Sequence, residues 1–156
     1  MRRSVSIFVL ALLLVSCGTR TKKPEAASPA APATFRVPMP PANLTGQGQR
    51  DYLKAHYWDA FDFADTLFLE RIDTAQMYEA FARYVVLLSD RPTDGAPIDS
   101  LMRRASSSRR MMDYFAMLAD GVLHDPNSPL RNDEFYIPVL RALPAAPWYA
   151  ESERIP

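Results

Sequence analysis

Proline placement constrains this chain more than any other feature. Six of its 14 prolines, Pro24, Pro29, Pro32, Pro38, Pro40 and Pro41, fall between Gly18 and Asn43. Each fixes φ and removes a backbone donor, so residues 18–43 cannot form a helix or an inner strand. They read as a Pro/Ala-rich tether, extended and semi-rigid at about 3.1 Å per residue where polyproline-like. Phe35, Val37 and Met39 alternate before the last prolines, so the tether's end is expected to pack on the domain after it. In a chain of 156 residues, residues 44–156 leave room for one domain.

From Leu44 the apolar spacing is helical. Over residues 45–64, Tyr52, Ala55, His56, Asp59 and Phe63 lie along one face and Leu53, Tyr57, Ala60, Phe61 and Ala64 along another. That predicts one largely buried helix, aromatic on much of its circumference. Asp73 and Gln76 fit a capping box, with Asp in place of Ser or Thr, and Ile72 and Met77 fit a hydrophobic staple. The stripe beyond that cap, Met77, Phe81, Tyr84, Val85 and Leu88, is stopped by Asp90-Arg91-Pro92. Pro97 suits a first helical position, and Ile98, Leu101, Met102 and Ala105 make the next stripe. Ser106-Ser107-Ser108 is a break or a weak joint before Met112, Phe115, Ala119 and Val122. Asp125 to Pro129 reads as a turn. Asn132 suits an N-cap, with Asp133 and Glu134 complementing the dipole of a last helix that Pro138 either kinks or begins. With no strand ladder and no internal repeat, the expected fold is all-α, a small bundle of about five helices.

The first seventeen residues read as an address. Arg2 and Arg3 precede an unbroken apolar run from Ile7 to Val15. Nine residues are too few for a helical membrane span, which takes about 20, and suit a signal-peptide core. The run ends in Leu14-Val15-Ser16-Cys17, which resembles the bacterial lipobox. On that reading residues 1–17 are a lipoprotein signal, and Cys17 is the lipidation site and the mature N-terminus. Several acyl chains, at about 0.8 kcal/mol per buried methylene, then hold the protein on a membrane. Gly18-Thr19-Arg20 lacks the Asp that resembles an inner-membrane retention signal and the acidic cluster that resembles a surface-export signal. The expected location is the cell envelope, on the periplasmic face of the outer membrane.

Composition removes several function classes. Lys+Arg and Asp+Glu number 18 each, which argues against a nucleic-acid partner held by bulk charge. A single cysteine allows neither an intrachain disulfide nor a dithiol centre. No G-x-S-x-G elbow occurs, and Gly46-Gln47-Gly48 lacks the context of a phosphate loop. His56-Tyr57-Trp58-Asp59, continued by Asp62 and Asp65, is the densest polar–aromatic run. A metal site can be drawn from His56, Asp59 and His124, but a His–Asp hydrogen bond at i, i+3 accounts for the pair more simply. Asp62 and Asp65 then cap turns. The expectation is no metal, no cofactor and no enzymatic activity. Arg103, Arg104, Arg109 and Arg110 read as a solvated face, with contact to anionic lipid or a partner as the sharper alternative. Trp58 is expected in the core, while Trp148 either closes the bundle or docks a neighbouring domain.

Three segments carry a family resemblance. They are His56-Tyr57-Trp58-Asp59 followed by Phe61-Asp62-Phe63-x-Asp65, then Asp125-Pro126-Asn127-Ser128-Pro129-x-Arg131-Asn132, then Tyr136-Ile137-Pro138-Val139-Leu140. In order and spacing they are similar to a helical domain of unknown function in Bacteroidetes-type lipoproteins, often found N-terminal to a thioredoxin-like domain. The resemblance implies a cell-envelope setting near thiol–disulfide chemistry and transfers no catalytic residue. This chain has no C-x-x-C and no βαβ pattern, so redox activity is not implied for it. The expected role is non-catalytic protein interaction or positioning, with an envelope protein, thioredoxin-like in the alternative, as partner. The expected interaction groove is lined by His56, Trp58, Asp59, Asp62, Asp65, Asp125, Asn127, Arg131 and Asn132, polar residues set among aromatics and prolines. The alternative role is that of an accessory N-terminal domain of a thioredoxin-like thiol–disulfide oxidoreductase.

Overall fold

The computed structural model describes residues 31–89 and 95–148. The expected signal peptide with Cys17, residues 18–30 of the expected tether and the Asp90-Arg91-Pro92 stop lie outside these. The fold is all-α. The helices are α1 (Gln47–His56), α2 (Phe68–Arg71), α3 (Thr74–Leu88), α4 (Ala96–Ala105), α5 (Arg109–Ala119) and α6 (Asp133–Ala145). A π-helical turn, Asp120–His124, continues α5. The sole β-type pairing among the described residues is an isolated bridge between Ala33 and Ile72.

The inward stripes are those the spacing predicts. Met77, Phe81, Tyr84, Val85 and Leu88 of α3 are buried, as are Ile98, Leu101, Met102 and Ala105 of α4. Met112, Phe115 and Ala119 of α5 and Val122 of its π turn complete the core with Phe135 and Val139 of α6. α4, α5 and α6 pack against one another, and α3 packs on α5 and α1. Three short polar side chains start helices by accepting backbone N–H bonds: Asp73 from Ala75 at 2.8 Å, Ser108 from Met111 at 3.1 Å and Asn132 from Phe135 at 3.2 Å. The three serines are therefore a break, with Ser108 capping the helix after it.

Two local expectations are corrected. The helix predicted over residues 45–64 ends at His56, and α1 buries none of its residues. On a continuous helix Tyr57, Phe61 and Trp58 would share a sector of about 100° while Phe63 would fall on the opposite side, and one core cannot receive all four. Short i to i+3 turns, Asp59 N–H to His56 O at 3.0 Å and Phe61 N–H to Trp58 O at 3.1 Å, fold them inward instead. All four are buried. The capping box is half made: Gln76 does not return to Asp73, because its Oε1 accepts the Phe35 N–H at 3.1 Å. Of the two alternatives for the last helix, the structure takes the one that begins at the Asn132 cap, with Pro138 inside it.

The stretch before α1 joins the body through Ala33 and Phe35. Ala33 N–H donates to Arg71 O at 3.0 Å. The Phe35 ring stacks on Trp58 at 4.8 Å and meets Phe61 edge-on at 6.0 Å. Val37 and Met39, which share its alternation, stay exposed.

Candidate functional site

The turn between α1 and α2 is the most elaborate feature of the molecule. Trp58, 3% exposed, is its centre. Its ring meets Phe115 and Tyr84 edge-on at 5.3 and 5.6 Å. Such near-perpendicular pairs set a positive ring edge against a negative face. Tyr57 donates its hydroxyl to Ala80 O at 2.9 Å, tying the turn to α3. Burial pushes the Tyr57 phenol up to about 12, with Arg83 pulling the other way and Glu79 adding to the rise. Burial likewise pushes Tyr84 up to about 12 against the opposing charge of Arg104.

Arg104 of α4 locks the turn from the other side. Its Nη2 donates to Trp58 O at 2.9 Å, its Nη1 stands 3.5 Å from Asp59 Oδ1, and its guanidinium lies 4.5 Å from the Phe63 ring centroid. Ser107 adds a bond to Phe63 O at 2.7 Å. A planar cation with several donors can serve a carbonyl, a carboxylate and a ring at once, which a lysine cannot. Sequence reasoning places Arg104 in a basic patch and misses this role. The signal is its position three residues after Leu101, at the edge of the buried stripe.

The patch itself is neutralised by acids. Arg103 pairs with Asp99, Arg109 with Asp113 at 3.7 Å and Arg110 with Glu70 at 2.9 Å.

The polar residues of the turn do local work. His56 Nδ1 and Asp59 Oδ2 are 2.7 Å apart at an exposed position, the i, i+3 bond expected of them. Asp62 accepts the Ala64 N–H at 2.8 Å. Asp65 accepts the Phe68 N–H at 3.1 Å and pairs with Arg71 at 3.0 Å. In the second segment Asp125 accepts the Asn127 N–H at 2.7 Å, forming the expected turn. Arg131 faces Asp133 at 3.8 Å, while Asn132 caps α6 and donates its N–H to Leu123 O at 3.0 Å. His124 stacks on Tyr136 at 4.6 Å, and the Tyr136 hydroxyl donates to Asp120 at 2.9 Å. Burial, then that bond, raises the Tyr136 phenol. Among the described residues no three His, Cys, Asp or Glu side chains come together as metal ligands.

The two segments border different hollows. Trp58 faces a hollow of about 240 Å³ with Tyr84, Leu101 and Arg104. Asp62 and Asp65 border another, of about 270 Å³, with Phe35, Phe61 and Phe68. Asp125 and Asn127 border a third, of about 250 Å³, with Tyr78 and Gly121. The reason is topological: the first segment packs on α3 and α4, whereas the second leaves the π turn and enters α6. Trp148 is half-buried against the core and its indole donates to Ser106 O at 3.4 Å, so it closes the bundle at the α4–α5 joint.

Comparison with known proteins adds context to this geometry. The family described as Domain of unknown function (DUF5106) matches residues 16–156. No curated protein matches the chain. Among solved structures, the chain is similar to a thioredoxin-like protein from Bacteroides caccae ATCC 43185, with 35% identity and a TM-score of 0.68. The likeness covers 78% of this chain and 44% of that one, so the chain spans less than half the length of its structural relative.

Proposed function

Since the chain belongs to the DUF5106 family, a family of unknown function, we propose that it is a non-catalytic helical module that positions a thioredoxin-like activity at the cell envelope. One observation carries the reading: a relative 35% identical over most of this chain is described as thioredoxin-like, and more than half of it lies beyond the matched part. The described residues of this chain are helical, and its single cysteine supplies no dithiol. Thiol chemistry therefore belongs to a thioredoxin-like partner or companion domain, and the helical module contributes placement. The polar side chains of the turn support that role, since they are engaged in capping and clamping. The N-terminal address supports an envelope setting, with Cys17 as the lipid anchor.

An insulin-reduction assay tests the division of labour. The full chain alone is expected to give no turnover, and its addition to the thioredoxin-like relative is expected to change that protein's rate or substrate preference. Turnover by this chain alone, or an unchanged rate and preference in its presence, overturns the reading. Metabolic labelling with a fatty acid tests the anchor. Wild type is expected to incorporate label and Cys17→Ala to lose it; equal labelling excludes Cys17.

A further inference from the structure

The hollow beside the tether's end carries charges of both signs that do not meet. It lies between residues 34–36 and the turn that leads into α2, and its volume is about 270 Å³. Ligand pockets usually run to about 300–1,000 Å³, so an occupant here is small. The partly buried rings of Phe35 and Phe68 give the hollow an apolar wall. Both meet the buried Phe61 ring edge-on, at 6.0 and 5.2 Å, which holds that wall in place.

The charged groups differ in what the fold already asks of them. Asp65 is fully used: Oδ1 accepts the Phe68 N–H at 3.1 Å and Oδ2 pairs with Arg71 at 3.0 Å. Asp62 commits only Oδ1, to the Ala64 N–H at 2.8 Å, and its Oδ2 has no partner among the described residues. Arg36 is exposed and makes no ion pair among the described residues. Thr34 adds a hydroxyl. One carboxylate and one guanidinium thus line the same hollow without joining each other. A simple cation there would meet Arg36, and a simple anion would meet Asp62. A molecule with both charges next to an apolar group satisfies the whole lining.

We propose that this hollow binds a free α-amino acid with an apolar side chain. Its ammonium donates to Asp62, its carboxylate accepts from Arg36 and Thr34, and its side chain lies on the rings of Phe35 and Phe68. The guanidinium fork matches a carboxylate in shape as well as charge. The site is open to water, so each ion pair contributes modestly and selectivity comes from making both at once. It is independent of the thioredoxin-like reading.

L-phenylalanine is the probe, titrated into the ¹⁵N-labelled full chain. 3-Phenylpropionate, which lacks the ammonium, and phenethylamine, which lacks the carboxylate, are the comparisons. The amide resonances of residues 34–36 and 60–68 are expected to shift and saturate with L-phenylalanine, while those of α6 stay in place. The apparent affinity is expected to be at least about threefold tighter than for either comparison. Asp62→Asn keeps the oxygen that holds the Ala64 N–H and is expected to remove the preference over 3-phenylpropionate. Arg36→Gln is expected to remove the preference over phenethylamine. Arg36→Gln breaks no ion pair of the described residues, so its result decides even where Asp62→Asn perturbs the turn. A shift that never saturates overturns the site. So does equal affinity for L-phenylalanine and either comparison, or a preference over phenethylamine that survives Arg36→Gln.

Discussion

Gly95 sits against Pro138. A Cβ at Gly95 would lie 2.9 Å from Pro138 Cγ and 2.8 Å from the carbonyl oxygen of Glu134. That carbonyl is the one Pro138, lacking an N–H, cannot serve from within α6. Gly95 also has φ +74°, a left-handed conformation that other residues adopt only under strain. The proline that interrupts the hydrogen bonding of α6 and the glycine that starts α4 thus form one contact between the two helices. Gly95→Ala is expected to destabilise the fold by about 2 kcal/mol or more. Urea unfolding measures it, and a wild-type midpoint would show that Gly95 is not held there.

Trp58→Ala is expected to cost about 3–5 kcal/mol, because the side chain is enclosed by the rings of Phe35, Tyr84 and Phe115. Trp58→Phe, which keeps ring contacts and removes the indole N–H, is expected to cost much less. Equal losses in thermal or chemical unfolding would mean that the shape of the indole, rather than aromatic enclosure, sustains the turn.

Arg104→Lys is expected to behave like a loss rather than a conservative change. The ammonium cannot reach Trp58 O and Asp59 in the same fork while covering Phe63. A cost of about 1–2 kcal/mol is expected, with faster protease cleavage between Ala60 and Phe68. Wild-type cleavage and stability in the lysine variant would remove Arg104 from its clamping role.

Phe35→Ala is expected to release the end of the tether. The remaining ties, the N–H bonds of Ala33 to Arg71 and of residue 35 to Gln76, are backed only by the small, partly buried Ala33 side chain. Limited proteolysis is expected to cut between Ala33 and Met39 in the variant and to spare that stretch in the wild type. Equal cutting in both would show that Phe35 does not fasten the tether.

Alkaline titration is expected to unfold the protein through its buried phenols. Tyr57 and Tyr84 rise from 10.0 to about 12 on folding, so the folded state holds their protons more tightly than the unfolded chain. Their contribution is complete below pH about 10 and is lost as the pH climbs from there through about 12. Melting temperatures across that window are expected to fall steeply for wild type and less for Tyr84→Phe. Parallel curves would exclude Tyr84 as a cause.

Much of this protein was legible in its one-dimensional pattern. The stripes Met77 to Leu88, Ile98 to Ala105 and Met112 to Val122 define which helix faces are buried, because burial against one core imposes a period near 3.6. The caps Asp73, Ser108 and Asn132 sit where short polar side chains meet unsatisfied N–H groups, and the His56–Asp59 bond comes from spacing alone. All of these are local relations, readable within one or two turns. Tertiary structure alone decided where the aromatic run of residues 57–63 breaks its helix, since that depends on how many ring faces the core can accept. It also decided that Gln76 serves Phe35 instead of Asp73, that Arg104 clamps Trp58 from 46 residues away, and that the two polar segments border separate hollows. Those outcomes rest on contacts between distant parts of the chain, whose geometry exists only once the helices have packed.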